Sequence, residues 1–422
     1  MTTELNINNK LWTVHRCQQA ALAVCIVANV PSIIWGKPGV GKTQTIRAIA
    51  DAYDMHLVIS ILSASDMTDL QGYPVLEDGV SKLAPRKWVQ DVINASEGVN
   101  EKDPLNAKKR HSIVFWDEIS TAPPSTQAPA LTIILDKLAG DTQMPMTTRM
   151  IGAANPPDIA ANGWDLSAPM ANRFTHLDWD VDIDTAVRGF QMGWETPPVP
   201  MLPTFKKKSA DGSITELTDE EVIERHAKNA RLLVGSFLRK KPTAISHDFS
   251  TWGMNSGTFK ASQNAFPSLR AWDSVARLYA VCKIATYDGE PVNPEVARML
   301  IAGTVGEQLA NEFLAYTSSL ELVDPVQILR DPNAAEVPEA LDKLSAVLAS
   351  LRNTCMSQRS KSVYPRLWDS WGFYLMKVVD SGSADLAFTH VQEWWNNRPN
   401  NHAPQAGVVE KMQSFVDRFN GG

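Results

Sequence analysis

The spacing of apolar positions changes character part-way along the chain. Up to about residue 185, short apolar and β-branched runs alternate with stretches of helical period. The runs are "SIIW" (32–35), "HLVISILSA" (56–64), "SIVFWDE" (112–118), "TTRMIGAAN" (147–155) and "RFTHLDWDVD" (173–182). "HLVISILSA" is apolar on both faces, as a parallel strand covered on both sides must be. "TQTIRAIADAY" between the first two has helical spacing at Ile46, Ile49 and Ala50, and residues from about 9 to 29 read as an amphipathic helix leading into the first strand. Strand and helix in alternation predict an α/β core built on a parallel sheet with crossover helices. "ETPPVPMLP" (195–203) then breaks the pattern, and helical period resumes near residue 217. "FPSLRAWDSVARLYAVCKIA" reads as one helix and "PEVARMLIAGTVGEQLANEFLAYTSSL" as another, with a second boundary near 324–340. The expected division is an α/β core over 1–195, an all-helical segment over 204–325, and a helical extension over 335–422 that carries no recognisable motif.

Composition narrows the class. A chain of 422 residues suffices for two or three domains, and 44% hydrophobic with 21% charged residues describes a soluble globular protein. "AALAVCIVANV" stops at Asn29 and Pro31, too short to span a bilayer, and a secretion signal is not expected. Four scattered cysteines without C-x-x-C suit a reducing cytosol, so the expected location is cytoplasmic, with no membrane partner. A formal charge of −7 argues against general nucleic-acid affinity. Basic clusters at Lys108–Arg110, Lys206–Lys208 and Arg239–Lys241 read as solvated loops.

The chemistry begins at "GKPGVGKT": Gly36, Lys37, Pro38, Gly39, Val40, Gly41, Lys42 and Thr43. This stretch fits G-x-x-x-x-G-K-[ST], with a strand before it and a helix after it. The glycines let successive N–H groups turn inward on phosphate oxygens. Lys42 adds a point charge, the Thr43 hydroxyl is a ligand for Mg²⁺, and the dipole of the following helix favours the same anion. Asp117 and Glu118 end the hydrophobic third strand, which delivers them to the carboxyl edge of the sheet where ligands sit. Asp117 there holds Mg²⁺ through a water, and Glu118 orients and deprotonates the attacking water. Asn155 ends the fourth strand and offers a neutral amide to phosphate and water, although an Asn before two prolines also forms turns. Arg173, ahead of the fifth strand, is placed to reach a nucleotide in a neighbouring subunit, the alternative being a surface ion pair. Arg270, near the start of a helix in the second region, is suited to touch the γ-phosphate from a hinged lid, or to be an ordinary surface arginine.

The order phosphate loop, "FWDE", "AAN", "NRF", "SLR" resembles the AAA+ ATPases, and "DEISTAPPSTQAPAL" (117–131) resembles the MoxR and dynein-related branch. "SDMTDLQGYPVLEDGV" is similar to the segment that in MoxR proteins enters a β-hairpin insert. The resemblance covers about residues 12–310. It implies an AAA+ core with a helical lid, and a ring, usually hexameric, driven by ATP and Mg²⁺. It also implies remodelling or maturation of a protein client, often one with a von Willebrand factor A domain. Residue by residue, it implies nucleotide binding at Gly36 to Thr43, Mg²⁺ and water at Asp117 and Glu118, sensor 1 at Asn155, the arginine finger at Arg173 and sensor 2 at Arg270. The sequence departs from the pattern at Trp116, Ser120, Thr121 and Ala154.

Other signals are bland. Asp178, Asp180, Asp182 and Asp184 alternate with apolar residues, but Ile183 stands where a calcium loop needs glycine, so the run reads as a strand with one acidic face. Histidine and cysteine spacings offer no zinc site. A nucleic-acid motor or loader is the alternative reading, kept open by Lys108–Arg110 ahead of the third strand. A nucleotide-gated scaffold is the third, and Glu118 speaks against it, since a mere binder needs no water-activating acid.

Overall fold

The computed structural model describes residues 5–7, 10–99, 108–156, 166–194, 196–208, 214–245, 266–319, 325–339 and 341–400, with His402 and Met412. Five of the predicted runs form one parallel sheet: β1 (Ser32–Trp35), β2 (His56–Ile61), β5 (Ser112–Asp117), β6 (Arg149–Ala154) and β7 (Thr175–Asp178). Their order across the sheet is β7-β1-β6-β5-β2. β3 (Tyr73–Glu77) and β4 (Val80–Ala84) make a separate antiparallel hairpin turning at Asp78 and Gly79, both left-handed, as the tight Asp-Gly turn requires.

Register brings the chemistry together. Ala154 lies opposite Trp35, and Ile61 lies opposite Asp117, so four strands end level at one edge. The residues just past those ends therefore meet although up to 119 positions separate them in sequence, from Gly36 to Asn155.

Helix α1 (Val14–Ala28) is capped at Thr13, whose side chain accepts from the Arg16 N–H at 3.2 Å, and ends at Asn29 in the left-handed region. The expected amphipathic helix is instead buried on nearly every face from Cys17 to Ala28. The cause is tertiary: it lies under β7 and under two later helices, α7 (Leu269–Ile284) and α8 (Pro294–Val305). Its C-terminal carbonyls are taken by arginines, Ile26 by Arg149 Nε at 2.9 Å and Ala28 by Arg277, where cations suit the negative end of the dipole. The remaining helices of this region are α2 (Lys42–Ala52), α3 (Lys87–Glu97), α4 (Pro124–Asp136), α5 (Ile183–Met192) and the start of α6 (Asp219–Lys240).

Two further expectations are corrected. The acidic run is not one strand: β7 stops at Asp178, and the Asp182 carboxylate accepts from Thr185 N–H at 2.7 Å to cap α5. The long helix read over 294–320 is two across its described residues, α8 and α9 (Glu307–Ser319), separated at Gly306 with φ of 92°.

By packing the chain divides into two units, one of 1–230 with 243–312 and one of 231–242 with 313–422. In the first, a single hydrophobic cluster joins Leu22, Ile26 and Ile34 to Leu278, Val281 and Leu300, so α7 and α8 share the core of the sheet. The second unit is helical, with α10 (Leu341–Met356), α11 (Tyr364–Asp380) and α12 (Ala384–Asn396). Its centre is a stacked pair, Trp368 and Trp394, with ring centroids 4.2 Å apart. Each indole N–H donates to the other residue's carbonyl, at 2.8 and 2.9 Å, which satisfies two buried donors without water. Gly372 makes the stack possible, since a Cβ there would lie 2.6 Å from the Trp394 ring.

Candidate active site at the carboxyl edge of the sheet

The three glycines of the loop between β1 and α2 do different work. Gly39 and Gly41 have φ of 80° and 79°, a conformation costly for any side chain. Gly36 is needed for space: a Cβ there would sit 2.7 Å from the Trp179 carbonyl oxygen. The Gly36 N–H donates to Ala154 O at 3.1 Å, which ties the loop to the end of β6. α2 starts at Lys42 with Gly41 as its cap and no side chain bonded to its first N–H groups. Those donors face outward as an anion site.

Lys42 Nζ donates to the carbonyls of Gly36 and Lys37 (3.3 Å) and to Asn155 Oδ1 at 3.1 Å. Burial pulls its pKa below the usual lysine range, and the charges of Asp117 and Glu118 partly oppose that. Thr43 Oγ1 donates to Asp117 Oδ2 at 3.1 Å. A hydroxyl and one carboxylate as hard oxygen donors fit Mg²⁺, which keeps most of its shell for water and phosphate. Among the described residues no cluster of three or more His, Cys, Asp or Glu offers a metal cage, which agrees with so sparse a donor set.

Glu118 follows in the left-handed region at φ 57°, its carboxylate exposed and accepting from Ser63 Oγ at 2.7 Å. Strain of this kind at a non-glycine residue needs a compensating reason. Here the reversal turns the chain so that Asp117 and Glu118 both leave the edge of the sheet. Ser63 is a residue the sequence reading missed. It stands just past β2, the strand paired with β5, and that pairing was the available signal.

Gly36 to Thr43, Asp117, Glu118 and Asn155 thus converge at one edge, whereas Arg173 and Arg270 lie together elsewhere. Arg173 NH1 donates to Pro169 O at 2.7 Å, and its Nε is buried without a partner. Burial and then the charge of Arg270 lower its pKa. The two are joined by the residue before Arg173: Asn172 donates to Ser268 Oγ at 2.8 Å, and Ser268 caps α7 through Ala271 N–H. Among the described residues neither arginine forms an ion pair, nor does either bond to the Lys42–Asp117–Asn155 group.

On the outer flank of the phosphate loop a cleft of about 770 Å³ runs between α1 and α5. Gly39, Val40 and Gly41 form one wall, with Gln19, Phe190 and Trp194 among those facing them. His15, also in the lining, is held neutral by burial. Its Nδ1 lies 3.1 Å from Asp180 O and its Nε2 3.2 Å from the Gln19 amide, so the neutral ring donates at the first and accepts at the second.

The family model "ATPase family associated with various cellular activities (AAA)" matches residues 32–175, the span from β1 to the start of β7. Residues 32–175 carry an AAA-family ATPase domain. A curated relative, midasin of Giardia intestinalis, is 28% identical over 161 residues, 36% of this chain and 3% of midasin. The chain thus corresponds to a small fraction of that relative's length. A solved structure assigned as an ATPase, from Cytophaga hutchinsonii, aligns over 72% of this chain and 90% of its own at 14% identity and a TM-score of 0.42. The AAA+ architecture itself, a five-stranded parallel core followed by helices and a helical C-terminal region, is present in this chain. Among the described residues no helix is long and apolar enough to cross a membrane.

Proposed function

We propose that this chain is a MoxR-like, ring-forming AAA+ ATPase, cytoplasmic and usually hexameric, that spends Mg-ATP hydrolysis on remodelling or maturing a protein client. The observation carrying this reading is the meeting of Lys42, Asn155, Thr43 and Asp117 at one sheet edge, with Glu118 exposed beside them. In it, the loop N–H groups and Lys42 bind the β- and γ-phosphates, and the nucleoside lies in the cleft along Val40. Thr43 and Asp117 would hold Mg²⁺, which supplies charge neutralisation on the phosphates. Glu118 takes the proton of the attacking water, Ser63 holds its carboxylate in place, and Asn155 orients the same water. Arg173, with Arg270 beside it, stabilises charge on a neighbour's γ-phosphate. A client with a von Willebrand factor A domain fits the resemblance to the MoxR branch.

Nucleic acid as the substrate gains little support. Within Lys108–Arg110, Lys108 pairs with Asp54 and Arg110 lies 3.7 Å from the same carboxylate, so two of those three charges are already engaged.

Glu118→Gln tests the chemistry. It should leave nucleotide affinity near the wild-type value and slow hydrolysis by about 10²- to 10⁴-fold, as loss of a general base does. Steady-state phosphate release and fluorescent-nucleotide titration read the two effects, and undiminished turnover would remove Glu118 from its role.

A further inference from the structure

A cleft that holds a nucleoside needs a polar group to tell one base from another, and most of this lining cannot supply it. Val40 and the rings of Phe190 and Trp194 offer apolar surface that suits any base. Three hydroxyls of the lining serve their own helices: Thr13 accepts from Arg16 N–H, Thr45 donates to Gly41 O and Thr185 donates to Asp182. Gln44 is exposed on α2, with nothing among the described residues to fix its amide.

Gln19 differs, because a second residue sets which way its amide faces. It stands one turn along α1 from His15, and that imidazole is itself fixed. His15 is buried, edge-to-face with Trp179 at a centroid distance of 5.2 Å, and its Nδ1 lies 3.1 Å from the Asp180 carbonyl. A carbonyl only accepts, so Nδ1 carries the proton of the neutral ring and Nε2 keeps a lone pair. The Gln19 group 3.2 Å from Nε2 is therefore the NH₂. Gln19 is half-buried and makes no other hydrogen bond among the described residues, so Oε1 and the second N–H remain as an acceptor and a donor side by side. The segment that holds His15 also fixes the phosphate loop, since the Trp179 carbonyl is what a Cβ on Gly36 would meet.

We propose that Gln19, held by His15, selects adenine: Oε1 accepts from the 6-amino group, and the second N–H donates to a ring nitrogen beside it. An acceptor and donor on one amide is the pattern by which Gln reads adenine. Guanine carries a carbonyl at position 6, which would meet Oε1 oxygen to oxygen. Turning the amide over to suit guanine sets Oε1 against the His15 lone pair and forfeits that bond. This rests on the nucleotide-binding reading above and adds the residue that chooses the base and the residue that positions it.

The test is competition by ATPγS and GTPγS against one γ-labelled fluorescent ATP, with Mg²⁺ and the full chain kept dilute. Wild type should prefer ATPγS by at least about 5-fold. Gln19→Leu, close in size, should lose about 5- to 150-fold in ATPγS affinity, the range for one paired base contact, and hold GTPγS within about threefold. Inorganic tripolyphosphate, which has no base, should compete equally well in both proteins. His15→Phe frees the amide to turn, so GTPγS should gain while ATPγS falls, whereas a merely structural His15 would weaken both alike. Should His15→Phe fail to fold, the Gln19→Leu comparison still decides. A wild type without the preference, or a Gln19→Leu protein that keeps it or loses tripolyphosphate in proportion, would overturn the inference and leave the ATPase reading standing. A wild type that binds none of the three would overturn both.

Discussion

The phosphate loop and the arginine pair are both cationic, yet their surroundings are opposite. Lys42 is buried, bonded to three oxygens of its own chain and opposed by the charges of Asp117 and Glu118. Arg173 and Arg270 share like charge; Asp136 acts on Arg173 in the opposite sense, and among the described residues neither arginine forms an ion pair. The first region is complete within one chain except for its anion. The second is only partly balanced within the chain, because two guanidiniums held together repel and Asp136 opposes only part of that. A single chain can thus organise the cradle, while the arginine pair keeps a like-charge repulsion that an added anion would relieve.

The largest effect should come from the pair. Arg173→Ala is expected to lower turnover by about 10³-fold or more, in line with loss of an arginine finger, and to leave nucleotide affinity of the dilute chain unchanged. Mixing Arg173→Ala subunits with Glu118→Gln subunits sharpens this. A site shared between chains regains part of its activity, since some interfaces then combine an intact Glu118 with an intact Arg173. A mixture as inactive as its components would place both residues on one chain's site and erase the contrast.

Gly36→Ala attacks the other side. The added methyl meets the Trp179 carbonyl at 2.7 Å, and backbone does not yield as a side chain does. The expected cost is about 1–3 kcal/mol by thermal or denaturant unfolding, with weaker nucleotide binding as the loop shifts. Unchanged stability would show that the loop relaxes freely and is not held as described.

Lys137 supplies the cleanest comparison, a cation that no ligand is expected to reach. It is buried at the end of α4 in the left-handed region and donates to Ile134 O at 2.8 Å. Burial pushes its pKa down to about 7, with the nearby Arg149 charge adding to the effect. In the unfolded chain it keeps the usual lysine value, so between about pH 7 and 10.5 the unfolded state binds more protons. Stability should therefore rise with pH across that window, and the cost should be fully present below about pH 7. Relative to Lys137→Met, the wild type should lose on the order of a few kcal/mol at pH 6.5 and recover most of it by pH 10. Parallel pH profiles for the two proteins would remove the assigned cause.

Much of the cradle was legible in the sequence because its parts are local or lie at strand ends. Gly39 and Gly41 declare a backbone that only glycine adopts cheaply, and a buried apolar run ending in Asp117 and Glu118 points to the sheet edge. Gly36 was legible as part of the motif, but its reason was not, since Trp179 lies 143 residues away. Ser63 was invisible for the same cause: it reaches Glu118 only because β2 pairs with β5. The acidic run 178–184 was misread because alternation of apolar and polar residues cannot tell a strand from a strand end followed by a helix cap.

Taken alone, the sequence determined the parallel α/β core, the phosphate loop with its carboxylates, and the mainly helical character of the described residues after 217, apart from a short hairpin at 286–291. These follow from apolar period, glycine conformation and hydrogen-bonding chemistry, which act over a few residues. Tertiary structure alone decided that α1 is buried on nearly all sides, that α7 and α8 share the core of the sheet, and that Arg173 and Arg270 stand together with no ion pair among the described residues. Each of these depends on which distant surfaces meet, and no local pattern of residues encodes the identity of a surface's partner.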